Sequence, residues 1–374
     1  MGLFAPFVAI AVLAADDPLA VKSAPKLFKP VDITIESKPV GEFLKSFAAE
    51  HGLEIVIDPR VDVTAAVRGR FKRTFVERIL GEAARFANAR MVLVGEIVYV
   101  APQESADRAA AAAFKARQAL VANEKADTDA WKEKRAKTWD DEATAQTLVV
   151  GLTKDLGVKV KNPDDLDVKA RAGSVKGAAA DLLSAWTALA DQTWSLSEDG
   201  KTLTIAPLPE DARLERKLRA PSAKEATRRN ENYTGLKDAA VSSQVKGSTI
   251  TLSGPWSALW AAERVDREEA LSVSIAKTQK PSKDKSGKAA KTKRYDPTFK
   301  NVTLAQFAES IAEHTKKSVE IDEESLTKAG KAKTDRLNCV ATGVDLEEML
   351  ALALEPLDLK FKINGDKIVI YAGK

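Results

Sequence analysis

VDITIESKPVGEFLKSFAAEHGLEIVIDP, residues 31–59, decides the fold. Val31–Ser37 alternates apolar and polar residues, the period of a half-buried strand. Pro39 suits a helix start, where backbone N–H groups have no intrahelical partner. Val40, Phe43, Leu44 and Phe47 then follow at helical spacing. Gly52 ends that helix, because a left-handed cap favours glycine. Leu53, Ile55 and Ile57 line one face of a second strand, Leu53–Asp58. Further on, Ala66–Phe71 reads as a strand, and Thr74 is placed to cap a second helix carrying Val76, Ile79, Leu80 and Ala83. A hairpin of Arg90–Val94 and Ile97–Ala101 turns at Gly95-Glu96 and ends at Pro102.

The same design recurs at the end of the chain. Val40, Phe43, Phe47, Ile57 and Asp58 correspond to Leu304, Phe307, Ile311, Ile321 and Asp322 at one ungapped offset. After a six-residue insertion, VERIL (Val76–Leu80) corresponds to LEEML (Leu346–Leu350). LKFKINGDKIVIYA repeats the hairpin, with Asn364-Gly365-Asp366 as its turn. Another copy is expected at 137–208, with Leu148, Val149 and Leu152 on its helix and Gly157 in the place of Gly52. It closes with LTIAP as the first copy closes with VYVAP, although its first strand is poor. Residues 239–276 differ: VSSQV and TITLSG flank Lys246-Gly247 as a hairpin, Trp256–Arg264 reads as a helix, and LSVSIA alternates again. That predicts a shorter β-β-α-β unit.

The expected fold is α+β: tandem small β-α-β-β-α-β(β) modules joined by a charged helical spacer and a disordered basic linker. The divisions are 1–20 signal peptide and leader, 21–102 first module, 103–136 Ala-rich solvated helical spacer and 137–208 second module. A charged linker (209–238), the β-β-α-β module (239–276), a basic linker (277–294) and the last module (295–374) complete the chain. A 374-residue chain calls for more than one core. The net charge of +4 belongs to the linker 277–294, with eight basic residues against one acidic (+7), which leaves −3 elsewhere.

Gly2–Ala15 is uncharged and then gives way to Asp16-Asp17. It is too short to span a bilayer, and it suits a secretory signal cleaved near Ala14. Export to the periplasm of a diderm bacterium, or secretion, is therefore expected, with no transmembrane segment beyond the signal. The single cysteine, Cys339, excludes an intramolecular disulfide framework and reads as a buried strand thiol.

On these residues the unit at 31–102 resembles the STN domain, the short module at the N-terminus of secretins and TonB-dependent receptors. The phrases that carry the resemblance are VDITIES, VGEFLKSFAAEHGL, EIVIDP, VERILGEA and MVLVGEIVYVAP. NVTLAQFAESIAEHT, VDLEEMLALALEPLDLKF and GDKIVIY make residues 301–371 similar. The 239–276 unit resembles, more weakly, the small β-α modules that follow STN in secretins. The resemblance implies a periplasmic docking module that binds another envelope protein. Neither the secretin pore nor a receptor β-barrel fits the remaining length, so pore formation and nutrient uptake by this chain alone are not expected.

No catalytic, cofactor or metal site is expected: HExxH, Walker A, GxSxG and GxGxxG patterns are absent. His51 and His314 close their helices, where imidazole favours the dipole and the last carbonyls. Asp58 and Asp322 recur as turn initiators. Ser23/Lys26 and Ser325/Lys328 are chance Ser-x-x-Lys pairs. The basic linker lacks interleaved aromatics, so nucleic acid is not an expected partner. The expected function is protein–protein docking in the cell envelope, linked to secretion, pilus assembly or TonB-type signalling, with self-association through strand edges as a related outcome. The alternative is a glycan- or peptidoglycan-binding protein using the Trp-bearing middle modules, with Trp256 and Trp260 as the platform.

Overall fold

The computed structural model describes residues 24–234, 241–278, 294–295, 297–341 and 344–372. The expected signal peptide and cleavage site lie outside the described residues, as does 279–293 of the basic linker. The chain divides into two units. One holds Ala24–Leu27, Pro39–Ala65 and Leu80–Asp266; the other holds Phe28–Lys38, Ala66–Ile79 and 267–372. The first module contributes to both.

The elements follow the expected order. After a short helix α1 (Ala24–Leu27), the first module runs β1 (Pro30–Pro39), α2 (Val40–Glu50), β2 (Ile55–Ile57), β3 (Ala66–Phe75), α3 (Val76–Phe86), β4 (Ala89–Val94) and β5 (Ile97–Pro102). Val40, Phe43, Leu44 and Phe47 are all buried on α2, and Gly52 takes a φ of +62°. Thr74 is not the cap of α3. β3 continues through Phe75, so Thr74 lies in the strand and donates its hydroxyl to the Lys72 carbonyl.

In the larger unit, β2, β5 and β4 form one sheet, with β5 central, parallel to β2 and antiparallel to β4. Next comes α4 (Gln103–Ala122), the expected spacer, and here solvation is corrected. Ala109–Ala113, Phe114 and Leu120 are buried, and α4 packs on β4 and β5 as well as on α7 and β9 of the second module. Alanine is both a strong helix former and the smallest side chain that still buries apolar surface. An alanine-rich helix is therefore equally fit for solvent or for a close-packed seat between layers, and composition does not separate the two.

The second module contains α5 (Thr128–Lys132), β6 (Lys134–Trp139), α6 (Ala145–Asp155), β7 (Lys159–Lys161), a 3-10 turn (Pro163–Leu166), β8 (Gly173–Ala178), α7 (Ala179–Leu189), β9 (Gln192–Leu196) and β10 (Thr202–Pro207). Its poor first strand is real: β6 starts at Lys134 and pairs with β8 along its whole length. β10 is central between β7 and β9, as β5 is between β2 and β4. α7 is buried throughout and carries Trp186, edge-on to Trp139.

The stretch expected as a charged linker is structured. β11 (Leu214–Arg219) and α8 (Ala223–Thr234) precede the hairpin β12 (Ser242–Lys246) and β13 (Thr249–Gly254), and β13 is central between β11 and β12. β11 reads LERKLR: only Leu214 and Arg216 are buried, and Arg216 pairs with Glu263 at 2.8 Å. A buried arginine satisfied by a carboxylate breaks the apolar alternation, which hides the strand from pattern reading. LSVSIA is not a strand either. Helix α9 runs from Trp256 to Thr278 and includes it. Asp107 of α4 seats the start of α9, accepting from the Ser257 amide at 2.7 Å and hydroxyl at 2.9 Å while pairing with Arg90.

The last module, in the smaller unit, comprises β14 (Thr298–Thr303), α10 (Leu304–Thr315), β15 (Ser318–Ile321), α11 (Glu323–Lys328), β16 (Arg336–Ala341), α12 (Leu346–Leu354), β17 (Leu359–Asn364) and β18 (Lys367–Ala372). Its sheet β15-β18-β17 repeats β2-β5-β4 strand for strand. α11 supplies the insertion, opened by Asp322, whose carboxylate accepts from the Ser325 amide.

Candidate functional site

The second strand layer of the smaller unit is built from two modules. Its four strands run β1-β3-β16-β14, so equivalent strands of the first and last modules meet at the centre. β3 and β16 are parallel, with Phe71 opposite Val340 and Lys72 opposite Ala341. Phe71, Phe75, Leu337, Cys339 and Ala341 are buried. Charges border the seam. Glu348 accepts from Lys72 at 2.7 Å and from Arg73 at 3.1 Å, and Arg70 pairs with Glu355. Arg73 holds a φ of +48°, unusual for a residue with a side chain. Its amide donates to the Asp32 carboxylate of β1 at 2.6 Å, which fixes that kink.

Burial would raise the Glu348 carboxyl, but the hydrogen bonds from Lys72 and from the Asp345 amide, with the nearby cations, hold it below its usual value. A carboxyl lowered by folding adds stability above its unfolded range, near 4.3, and that stability is lost as pH falls through the lowered value. Replacing Glu348 with lysine is expected to cost about 2 kcal/mol. It removes two part-exposed pairs, each worth under about 1 kcal/mol, and sets three cations together. Urea titration of the Glu348→Lys chain, at low and high salt, checks this; the loss should shrink as salt screens the repulsion.

The two outer edges differ. On β14 the register shifts between Phe299 and Val302, a bulge that twists an edge away from pairing. β1 is ten residues long, with proline only at its two ends, and among the described residues no strand pairs with its outer side. Asp32, Thr34, Glu36, Ser37 and Lys38 are exposed, while Ile35 is buried.

The other residues singled out from the sequence are occupied structurally. Trp256 and Trp260 stack at 4.8 Å, but both are buried, so neither offers a ring face to a sugar and the platform expectation is corrected. His51 sits edge-on to Phe47 at 4.5 Å, and His314 Nδ1 lies 2.7 Å from the Ser310 carbonyl. Ser325 donates to the Asp322 carbonyl and accepts from the Ala372 amide. Ser23 lies outside the described residues. Among the described residues no three His, Cys, Asp or Glu side chains cluster as metal ligands.

Cys339 is buried, and burial pushes its thiol up to about 12. A disulfide-exchange reagent should leave it untouched in the folded chain and titrate one thiol in denaturant. Because the unfolded thiol ionises near 9 and the folded one does not, stability is expected to fall as pH rises between those values.

One polar cluster was not legible in the sequence. In the larger unit, the fully buried Asp58 accepts from the Tyr99 hydroxyl at 2.8 Å and from Arg60 Nε and Nη2 at 2.9 and 2.8 Å. Arg60 also pairs with Asp191 of the second module. Burial, and then the Asp58 charge, raise the Tyr99 phenol well above its ordinary value. Arg171 donates to the Pro59 and Val61 carbonyls at 3.1 and 3.2 Å. These contacts lock the first module's strand end to the second module.

Comparison with solved structures returns N-terminal domains of a secretin. The XcpQN012 structure is 14% identical, spanning 64% of this chain and 98% of its own, with a TM-score of 0.17. The N-terminal domain of the secretin XcpQ from Pseudomonas aeruginosa is 11% identical over 63% and 99%, with a TM-score of 0.15. Scores this low carry no functional weight. No family model matches the chain. No curated protein matches it. No helix among the described residues is long and apolar enough to cross a membrane.

Proposed function

We propose that this chain is a docking protein of the cell envelope, not a catalyst, and that its modules engage partners by strand pairing and module-to-module packing. The observation that carries the reading is the sheet β1-β3-β16-β14, in which two like modules of one chain join edge to edge. Unpaired backbone donors and acceptors on such an edge recruit another strand. The STN resemblance of 31–102 and 301–371 suggests the setting: the periplasm, in work linked to secretion, pilus assembly or TonB-type signalling.

Crosslinking in intact cells followed by mass spectrometry tests this. Envelope proteins of a secretion, pilus or TonB-type system are the expected catch. Recovery of none above background contradicts the proposal.

A further inference from the structure

We propose that β1 is the docking edge for a second copy of this chain, the two β1 strands pairing antiparallel about Ile35. The inference rests on the strand-pairing reading above and names the partner. Of the two outer edges, β14 is bulged and β1 is not interrupted by proline along its length. A long edge with neither a bulge nor an internal proline keeps its backbone donors and acceptors open, and its exposed Asp32, Glu36 and Lys38 bar any partner strand that does not complement them.

Charge selects both the occupant and the register. A two-fold axis normal to the sheet keeps Val31, Ile33 and Ile35 of both copies on one face only if residues of equal parity meet. Centred on Ile35, Asp32 of each copy faces Lys38 of the other, Thr34 faces Glu36, and Ile33 faces Ser37. Moving the centre to Thr34 sets Asp32 against Glu36 twice. Moving it to Glu36 sets that residue against itself. Like charges directly opposite each other are destabilising, and opposite charges favourable. Centring on Ser37 sets Glu36 against Lys38 but joins only residues 35–39. The Ile35 register is therefore the one that matches opposite charges over nearly the whole strand, and the five side chains carrying it (Asp32, Thr34, Glu36, Ser37 and Lys38) are exposed. Ile33, half-buried at the edge, would be covered. Such a contact is isologous and closes at the dimer, giving one eight-stranded sheet across two copies.

Sedimentation velocity of the full chain over a concentration series tests this. The wild type should dimerise. Lys38→Asp should weaken the dimer by about tenfold or more, since it turns two attractive pairs into repulsive ones; Asp32→Lys should do the same, although it also takes the acceptor from the Arg73 amide. An equimolar mixture of the two variants should regain wild-type strength, because one chain then brings two cations and the other two anions to the same register. Circular dichroism and thermal melts establish that each variant folds; the recovery in the mixture is beyond a misfolded chain. A wild type that stays monomeric overturns the inference, and so does a dimer indifferent to Lys38→Asp. A monomer that still captures envelope proteins leaves the docking reading standing and removes only this one.

Discussion

Replacing Asp58 with alanine is expected to destabilise the larger unit by about 3 kcal/mol, measured by urea titration. Asp58 is fully buried and is the acceptor for the Tyr99 hydroxyl, itself fully buried. Without it that hydroxyl is stranded in the core, which alone costs about 1–3 kcal/mol. The remainder comes from Arg60, which loses the bonds from Nε and Nη2 that hold it over the strand end and keeps only the exposed Asp191. Adding Tyr99→Phe to Asp58→Ala should recover about 1 kcal/mol, because removing both partners is cheaper than orphaning one. A double variant less stable than Asp58→Ala would show that the phenol is satisfied elsewhere.

The second large effect is expected at Gly95, the turn between β4 and β5. Its φ is +65°, where an alanine costs about 1–2 kcal/mol. Its position is also taken: a methyl there would fall on the Asp181 carboxylate, at the start of α7. Asp181 is buried and accepts from the Glu96 amide at 3.2 Å, with Arg117 at 3.8 Å. Burial already raises this carboxyl, so displacing it from its donors adds to the strain. Gly95→Ala should cost about 3 kcal/mol by urea titration. With Asp181→Ala present, the added cost should fall to that of the backbone alone.

Much of the fold was legible because one signal dominates it. In α2 and α10 the buried positions Val40, Phe43, Leu44 and Phe47, and Leu304, Phe307 and Ile311, are the periodic ones. Glycine marks several of the turns at positive φ, among them Gly52, Gly95, Gly157 and Gly365, but Asn88, Asp191, Lys316 and Asp358 take it without that signal. Two of the misreadings share a cause, which is that composition was taken for exposure. α4 is rich in alanine and β11 in charge, and the neighbours that decide their state come from distant sequence: α7 and β9 for α4, and β13 for β11. LSVSIA differs, alternating by chance within helix α9.

The sheet shared by the first and last modules was legible only in part. Exposed strand edges were expected, but nothing local in Ala66–Phe71 or Arg336–Ala341 announces that these two strands pair with each other. Lys72 and Glu348 are ordinary surface residues in the sequence, separated by 276 positions. The repeat predicts that the two modules are alike, not that they share a sheet.

That sharing is what the docking account depends on, and a zero-length crosslink tests it directly. The Lys72 amine and the Glu348 carboxylate lie 2.7 Å apart, so a carbodiimide should join them as an intramolecular amide in the monomer, with the carboxylate oxygen leaving on the reagent's urea. The linked peptides can be read by mass spectrometry, and the exposed Lys169–Glu142 pair at 2.9 Å should link in the same sample. Absence of the Lys72–Glu348 link while Lys169 and Glu142 do link would contradict the shared sheet.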